Sequence, residues 1–304
     1  MGTSGAGQSR REVYEREVRR VTIAGLIVNL FLSAFKFVAG VLGHSQAVVA
    51  DSVHSLSDSV TDVAILVGVR FWMAPADDDH PHGHGRIETV VTIFIGVLLV
   101  AVAAGLVWNA LSTLSREHEH RPGIIALVAA LVSIVSKELL YRWTVGVGRR
   151  IRSSAVVVNA WHHRSDGFSS IPAALAVGGA YVVPAWAFLD HVGAVVVSVF
   201  ILQAAWRILK PAFGQLIDVA AGEEEIENIG KISASIKGVR HVHKIRTRYV
   251  GSCIEVDLHI EVERDMTVFE GHEIAGEVKY RLLAEGPDVC DVVVHIEPFK
   301  ESSE

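Results

Sequence analysis

The sequence predicts an α-helical membrane protein with six transmembrane helices, followed by a C-terminal cytoplasmic α/β domain of ferredoxin-like αββαβ order. Three observations predict it. Half of the 304 residues are hydrophobic and only 20% are charged, a balance too apolar for an ordinary soluble enzyme. Six apolar runs cover about 21–43, 47–73, 87–113, 123–147, 155–183 and 188–210, each long enough for the roughly 20 residues that a helix needs to cross a bilayer. From about residue 218 charge becomes dense and apolar residues alternate instead of running on.

These breaks divide the chain into an N-terminal tail (1–20), a six-helix membrane part (21–212) and a cytoplasmic part (213–304). The tail carries charge at both ends and no apolar core before Val21, so it does not read as a cleavable signal. Arg10, Arg11, Arg16, Arg19 and Arg20 precede the first run, and Arg149, Arg150 and Arg152 separate the fourth from the fifth. The 43–46 turn has no Lys or Arg. Positive charge flanks the cytoplasmic side of membrane helices, which predicts an inner-membrane, multi-pass protein with both termini in the cytoplasm. Arg116 and Arg121 in the 114–122 loop are a mild exception, accompanied by Glu117 and Glu119. The net charge of −6, with no basic cluster outside the membrane flanks, gives no reason to expect nucleic acid as a partner.

In the C-terminal part the pattern reads helix (about 223–236), strand (240–250), strand (253–263), helix (267–285), strand (289–297), the order of a small open α/β sandwich. Ile254, Val256, Leu258, Ile260 and Val262 share one strand face, which leaves Glu255, Asp257 and His259 on the other. Val292, Val294 and Ile296 repeat the pattern opposite His295 and Glu297. Cys253 and Cys290 form no CxxC pair and read as two free thiols, small structural apolar residues suited to a reducing compartment.

Ionisable side chains inside apolar spans cost a few kcal/mol each and are functional candidates by default. The second span reads VVADSVHSLSDSVTDVAIL and the fifth VVNAWHHRSDGFSSIPAAL, and each contains His-x-x-x-Asp. Residues four apart share one helix face. His54 with Asp58 and His162 with Asp166 therefore each present a nitrogen and an oxygen to one side, and together would give a divalent metal four ligands. Imidazole and carboxylate suit zinc best, with cobalt, iron, manganese and cadmium able to use the same groups. Asp51 and Asp62 lie on the same helix as His54 and are candidates to orient it. His163 points roughly 100° away from His162 and is left out of the site. Asn29, Lys36, Lys137 and Glu138 are further polar residues in the spans, for which packing or ion pairing is the only account. Lys137 and Glu138 are adjacent, so each needs its own partner.

GHSQAVVADSVHSLSD, PADDDHPHGHGRIE and NAWHHRSD resemble stretches of the cation diffusion facilitators, and the likeness covers nearly the whole chain. The resemblance implies a homodimer that exports cytoplasmic metal in exchange for protons, with His54, Asp58, His162 and Asp166 as transport ligands. Many bacterial members have Asp where this chain has His54. The two-His, two-Asp set is that of zinc-selective animal relatives, and the surrounding stretches also look like the magnetosome-associated branch, where iron or a scaffolding role is implied. Asp77, His80 and His84 match a loop metal site of bacterial zinc members, with Asp78 and His82 as possible substitutes. The resemblance also implies a cytoplasmic binuclear metal site at the dimer contact, on His243, His259, His272, His295 and Glu297, with His241 adjacent and zinc as the expected regulatory ion. Arg86 and Asp218 become the charge pair that hinges the two parts.

The expected function is thus proton-coupled efflux of a divalent metal, zinc first, by alternating access. A membrane metal sensor or scaffold with little transport is the alternative. An enzyme is not expected, because no nucleophile or general base accompanies the ligands in a recognisable arrangement.

Overall fold

The computed structural model describes residues 4–114, 121–151 and 153–299, with side chains described from residue 16 onward except at 61, 62, 65 and 66. Asp62, Arg10, Arg11, Arg116, Glu117, Glu119 and Arg152 fall outside that description. The chain divides into two compact units, one of residues 1–66 and 95–207, the other of residues 67–94 and 208–304.

The first unit is helical. Its elements are α1 (Ser4–Leu42), α2 (Gln46–Trp72), α3 (Arg86–Leu114), α4 (Ile124–Ile151), α5 (Ser154–Ser169), α6 (Ile171–Val182) and α7 (Phe188–Leu216), of which α2, α3 and α7 run on into the second unit. Among the described residues, four helical stretches are long and apolar enough to cross a membrane: Arg16–Leu42, Arg86–Leu114, Ile124–Ile151 and Pro184–Leu216. The run at 155–183 is two helices rather than one. Pro172 stands in the first turn of α6, where a missing N–H is tolerated, and Ser170 makes the join. α1 begins at Ser4, so helix runs through the expected tail into the first span, and its Glu17 pairs with Arg150 of α4 at 2.9 Å.

Packing in this unit follows the logic of helices in lipid, where small residues bring backbones together and bulky apolar ones face outward. The buried cluster is mostly alanine: Ala47 and Ala50 of α2, Ala110 of α3, Ala126 and Ala130 of α4, Ala173 and Ala176 of α6, and Ala194 of α7. Trp108 is 76% exposed and Phe31 67%. At one end Asp190 of α7 caps α2, accepting from the Gln46 N–H at 2.7 Å and from the Ser45 hydroxyl at 2.6 Å. The free N–H groups of that helix start are thereby satisfied by a residue 144 positions away.

The second unit is built round a three-stranded sheet. After α8 (Glu223–Ala234) come β1 (His241–Val250), β2 (Cys253–Val262), α9 (Val268–Glu285) and β3 (Val289–Pro298), in the expected αββαβ order. The strands lie in the order β1-β2-β3, with β1 and β2 antiparallel and β2 and β3 parallel. Gly251, at φ 60, takes the left-handed position in the turn between β1 and β2. A Thr267 and Glu270 capping box starts α9, which provides the crossover that a parallel pair requires. Ile254, Val256, Leu258, Ile260 and Val262 pack with Ile229, Val278, Leu282 and Val292 in one core, so every second residue of β2 points away from it.

Cys253 and Cys290 form a disulfide, which corrects their reading as free thiols. The parallel pairing of β2 with β3 brings their Cα atoms to 5.8 Å, inside the range a disulfide spans.

Candidate metal sites

The membrane ligand set sits on α2 and α5. His54 is buried, and its Nδ1 has no hydrogen-bond partner among the described residues. Asp58, one turn on, lies within electrostatic reach of His54, His162 and Asp166, and also of Lys137. On α5 the His162 Nδ1 is 3.7 Å from Asp166 Oδ1, so that HxxxD pair does share a face. Asp166 is buried, whereas His162 is half exposed. The four are near one another without being drawn into a coordination-sized cluster. Among the described residues, three or more ligand atoms within 4.8 Å of one another occur only in the loop and on the sheet.

Two lysines enter this neighbourhood that sequence reasoning left with packing or ion pairing as their only account, and both are ion-paired. Lys137 of α4 donates to Asp166 Oδ2 at 3.0 Å, with both side chains buried. Lys36 of α1 donates to the Asp51 carboxylate at 2.9 Å, to the Asp51 carbonyl at 3.1 Å and to the Ser55 hydroxyl at 2.6 Å. The other Asp51 oxygen accepts from Ser170 at 2.8 Å. Asp51 is therefore committed to Lys36 and Ser170 instead of orienting His54, which corrects that expectation. Glu138 pairs with Arg142 at 2.8 Å and Arg164 at 3.2 Å, apart from its neighbour Lys137. His163 is buried against α1: a Cβ on Gly25 would lie 2.8 Å from its Nε2.

The loop set lies between α2 and α3. Asp77 accepts from the His80 N–H at 2.6 Å and the Asp79 N–H at 3.1 Å, a local turn of the kind Asp favours. The same carboxylate reaches His80 Nδ1 at 3.1 Å and His84 Nε2 at 3.3 Å. His84 Nδ1 faces the Pro75 carbonyl at 3.2 Å, the type of contact that holds a ligand ring with its other nitrogen free. The backbone hydrogen bond from His80 is the first reason that the Asp77 carboxyl is held below the usual carboxylate range. The three ligand atoms come within 4.8 Å of one another. Asp78 and His82 are not part of this group.

The sheet set occupies two neighbouring rungs on the face away from the core. In register, His243 lies opposite His259, and His259 opposite His295; one rung on, His241 lies opposite Glu261, and Glu261 opposite Glu297. His259 Nδ1 is 2.8 Å from Glu297 Oε1, and His243 Nε2 is 3.3 Å from Glu297 Oε2. His295 Nε2 stands 3.5 Å from Glu297. The hydrogen bond with His259 is the main reason that Glu297 is held below the usual range. His243, His259 and Glu297 form one group of ligand atoms, and His241, His243 and Glu261 a second that shares His243. His272 is exposed on α9 and belongs to neither. Glu261 escaped the sequence reading, although strand alternation from His259 puts it on the ligand face.

Arg86 and Asp218, expected as a charge pair, stand 3.0 Å apart, both about half exposed.

The comparisons with known proteins agree on one family. The model of the cation efflux transmembrane domain matches residues 22–217, and that of the cation efflux protein cytoplasmic domain matches residues 221–299. The manganese efflux system protein MneP of Bacillus subtilis (strain 168) is 30% identical over 292 residues, which cover 94% of this chain and 98% of that protein. Metal tolerance protein C1 of Arabidopsis thaliana is 34% identical over 297 residues, 93% of this chain, and the match spans 63% of that longer protein. Magnetosome protein MamB of Magnetospira sp. (strain QH-2) is 30% identical over 273 residues, 90% of this chain and 92% of that protein.

Proposed function

We propose, taking as premise that this chain belongs to the cation efflux family, that it exports divalent transition-metal ions, zinc first, in exchange for protons. His54, Asp58, His162 and Asp166 are the transport ligands. The observation that carries this reading is electrostatic: two HxxxD motifs on separate helices, 108 positions apart in sequence (162 − 54), bring Asp58 within reach of Asp166 and both histidines. Two like-charged carboxylates held near each other in the interior of the first unit are an arrangement that a bound dication relieves.

Metal and protons compete for the same lone pairs, since ligation needs neutral imidazole and ionised carboxylate. Binding from the cytoplasm therefore releases protons, and proton arrival from the other side releases metal. Alternating exposure of the site turns that competition into antiport. The protein works in the inner membrane as a homodimer with both termini cytoplasmic. Support for that placement comes from the arginine distribution and from Glu17, at the start of the apolar stretch of α1, which pairs with Arg150 in the last turn of α4 where the topology expects cytoplasm.

The loop set and the sheet set are regulatory metal sites in this reading. Imidazole with carboxylate is a donor set that zinc accepts, and each group already converges in the single chain. A metal on the sheet that also takes a ligand from a second copy would favour the paired arrangement of two tails.

Manganese is the second reading of the cargo, favoured by the printed function of the Bacillus relative. Harder, oxygen-rich sites suit manganese, and nitrogen-bearing ones zinc. Uptake of zinc and of manganese into vesicles holding the purified protein, with and without an imposed pH gradient, tests both points. Zinc flux that grows with the gradient is expected, and His54→Asp should move preference toward manganese. Flux indifferent to the gradient would remove the antiport, and a wild-type preference for manganese would remove zinc.

A further inference from the structure

We propose that Lys137 is a tethered counter-cation: its ammonium group occupies Asp166 when the cargo is absent, and the metal enters the site by displacing it. The inference rests on the assignment of Asp166 to the transport site, and adds a residue that the paired motifs do not contain.

The two buried lysines of the first unit differ in how they are held. An ammonium carries three N–H donors. Lys36 directs its own at three acceptors, two on Asp51 and one on Ser55, and so is anchored. Lys137 makes one hydrogen bond among the described residues, to Asp166 Oδ2 at 3.0 Å. A cation with donors to spare moves at less cost than a saturated one. Lys36 therefore reads as a fixed strut between α1 and α2, and Lys137 as the exchangeable group.

The approach of Lys137 is built into both helices. A Cβ on Gly167, the residue after Asp166, would lie 3.2 Å from the Lys137 Cβ, so the glycine leaves space for the lysine stem as it passes α5. The Asp166 carboxylate is then divided, with Oδ2 taken by Lys137 and Oδ1 turned toward His162 at 3.7 Å. One oxygen is already placed beside a metal ligand while the ammonium holds the other.

The charge balance gives the arrangement a purpose. An empty site with Asp58 near Asp166 is two like charges in a poorly solvated interior, and an unpaired buried charge is costly. A built-in cation offsets one of them while the transporter returns empty. A dication that enters takes over this role, and the displaced ammonium, still tethered nearby, repels it. Lys137 thus weakens metal binding and speeds both return and release.

The concentration dependence of zinc uptake, measured with the full chain in vesicles, tests the proposal. Lys137→Met is expected to lower the half-saturating zinc concentration by about tenfold, a change worth ~1.4 kcal/mol, and to lower the maximal rate. Lys137→Arg, which keeps the charge, should restore the wild-type half-saturation. A merely structural lysine would raise the half-saturating concentration or leave it unchanged when removed, and either result overturns the proposal. Lys137→Gln repeats the test if the Met variant does not fold. Where neither carries flux, the zinc-induced rise in Tm is read instead, with His84→Ala and His259→Ala removing the loop and sheet contributions. A larger rise than in the parent supports the proposal, and an equal or smaller one overturns it. Asp166→Asn separates the two levels: if it loses uptake while Lys137→Met keeps the wild-type half-saturation, only the counter-cation fails, and if it keeps full uptake, the transport-site assignment fails as well.

Discussion

His259 of β2 and Glu297 of β3 are joined at 2.8 Å across a parallel strand pair, one rung out of register with each other. Glu297 stays ionised below the usual carboxylate range because of that contact. For a carboxyl whose pKa is depressed by folding, the stabilisation is present above the unfolded pKa and is lost as pH falls through the folded value. Glu297→Gln should therefore lower Tm near neutral pH and match wild type in acid, below the folded value. Equal melting at every pH would show that the contact with the ionised carboxylate does not stabilise the fold.

Metal binding by the sheet set has a different pH dependence. Glu297 is already ionised at neutral pH, and the histidines must be neutral to bind, so protons compete with zinc for them. Zinc affinity of the tail should fall as pH is lowered for that reason. His241→Ala and Glu261→Gln should remove a second, weaker zinc equivalent and leave the first. Equilibrium zinc titration counts both, and an unchanged stoichiometry would contradict the two overlapping groups.

In the loop, Asp77 is both turn former and ligand. Asp77→Asn keeps an oxygen able to accept from the His80 and Asp79 N–H groups but loses the charge, whereas Asp77→Ala loses both. Asn should preserve loop structure and weaken metal binding, and Ala should disturb both. Hydrogen exchange of the loop amides, set beside zinc titration, distinguishes the two variants.

Lys36 and Asp51 are a buried pair with no exposed side-chain surface. Removing one partner strands the other, so Lys36→Met should cost about 3–5 kcal/mol. The double variant Lys36→Met with Asp51→Asn should recover much of that loss. Thermal unfolding of the three proteins measures it.

Much of this molecule was legible in its sequence, and the limits have physical causes. Strand alternation carries its own phase, so the inward face of β2 and the outward His259, His295 and Glu297 follow from spacing alone. The HxxxD pairs are equally local, since four residues make about one helical turn. What spacing does not contain is the rotation of one helix against another. That is why Lys137 could be recognised as needing a partner but not matched with Asp166, and why Asp51 was set beside His54 when Lys36 and Ser170 hold it. The disulfide was missed for a related reason: Cys253 and Cys290 meet only because β3 returns parallel beside β2. Pro172 was a visible breaker inside the fifth apolar run, and hydropathy alone passed over it.

The most direct test of the account is zinc flux into vesicles carrying the full chain with Asp58→Asn or Asp166→Asn, set against Glu297→Gln. Either transport-site substitution should remove flux above the background of empty vesicles, while Glu297→Gln retains transport with altered dependence on cytoplasmic zinc. Undiminished flux in both Asp58→Asn and Asp166→Asn would contradict the assignment of the paired motifs to the transport path.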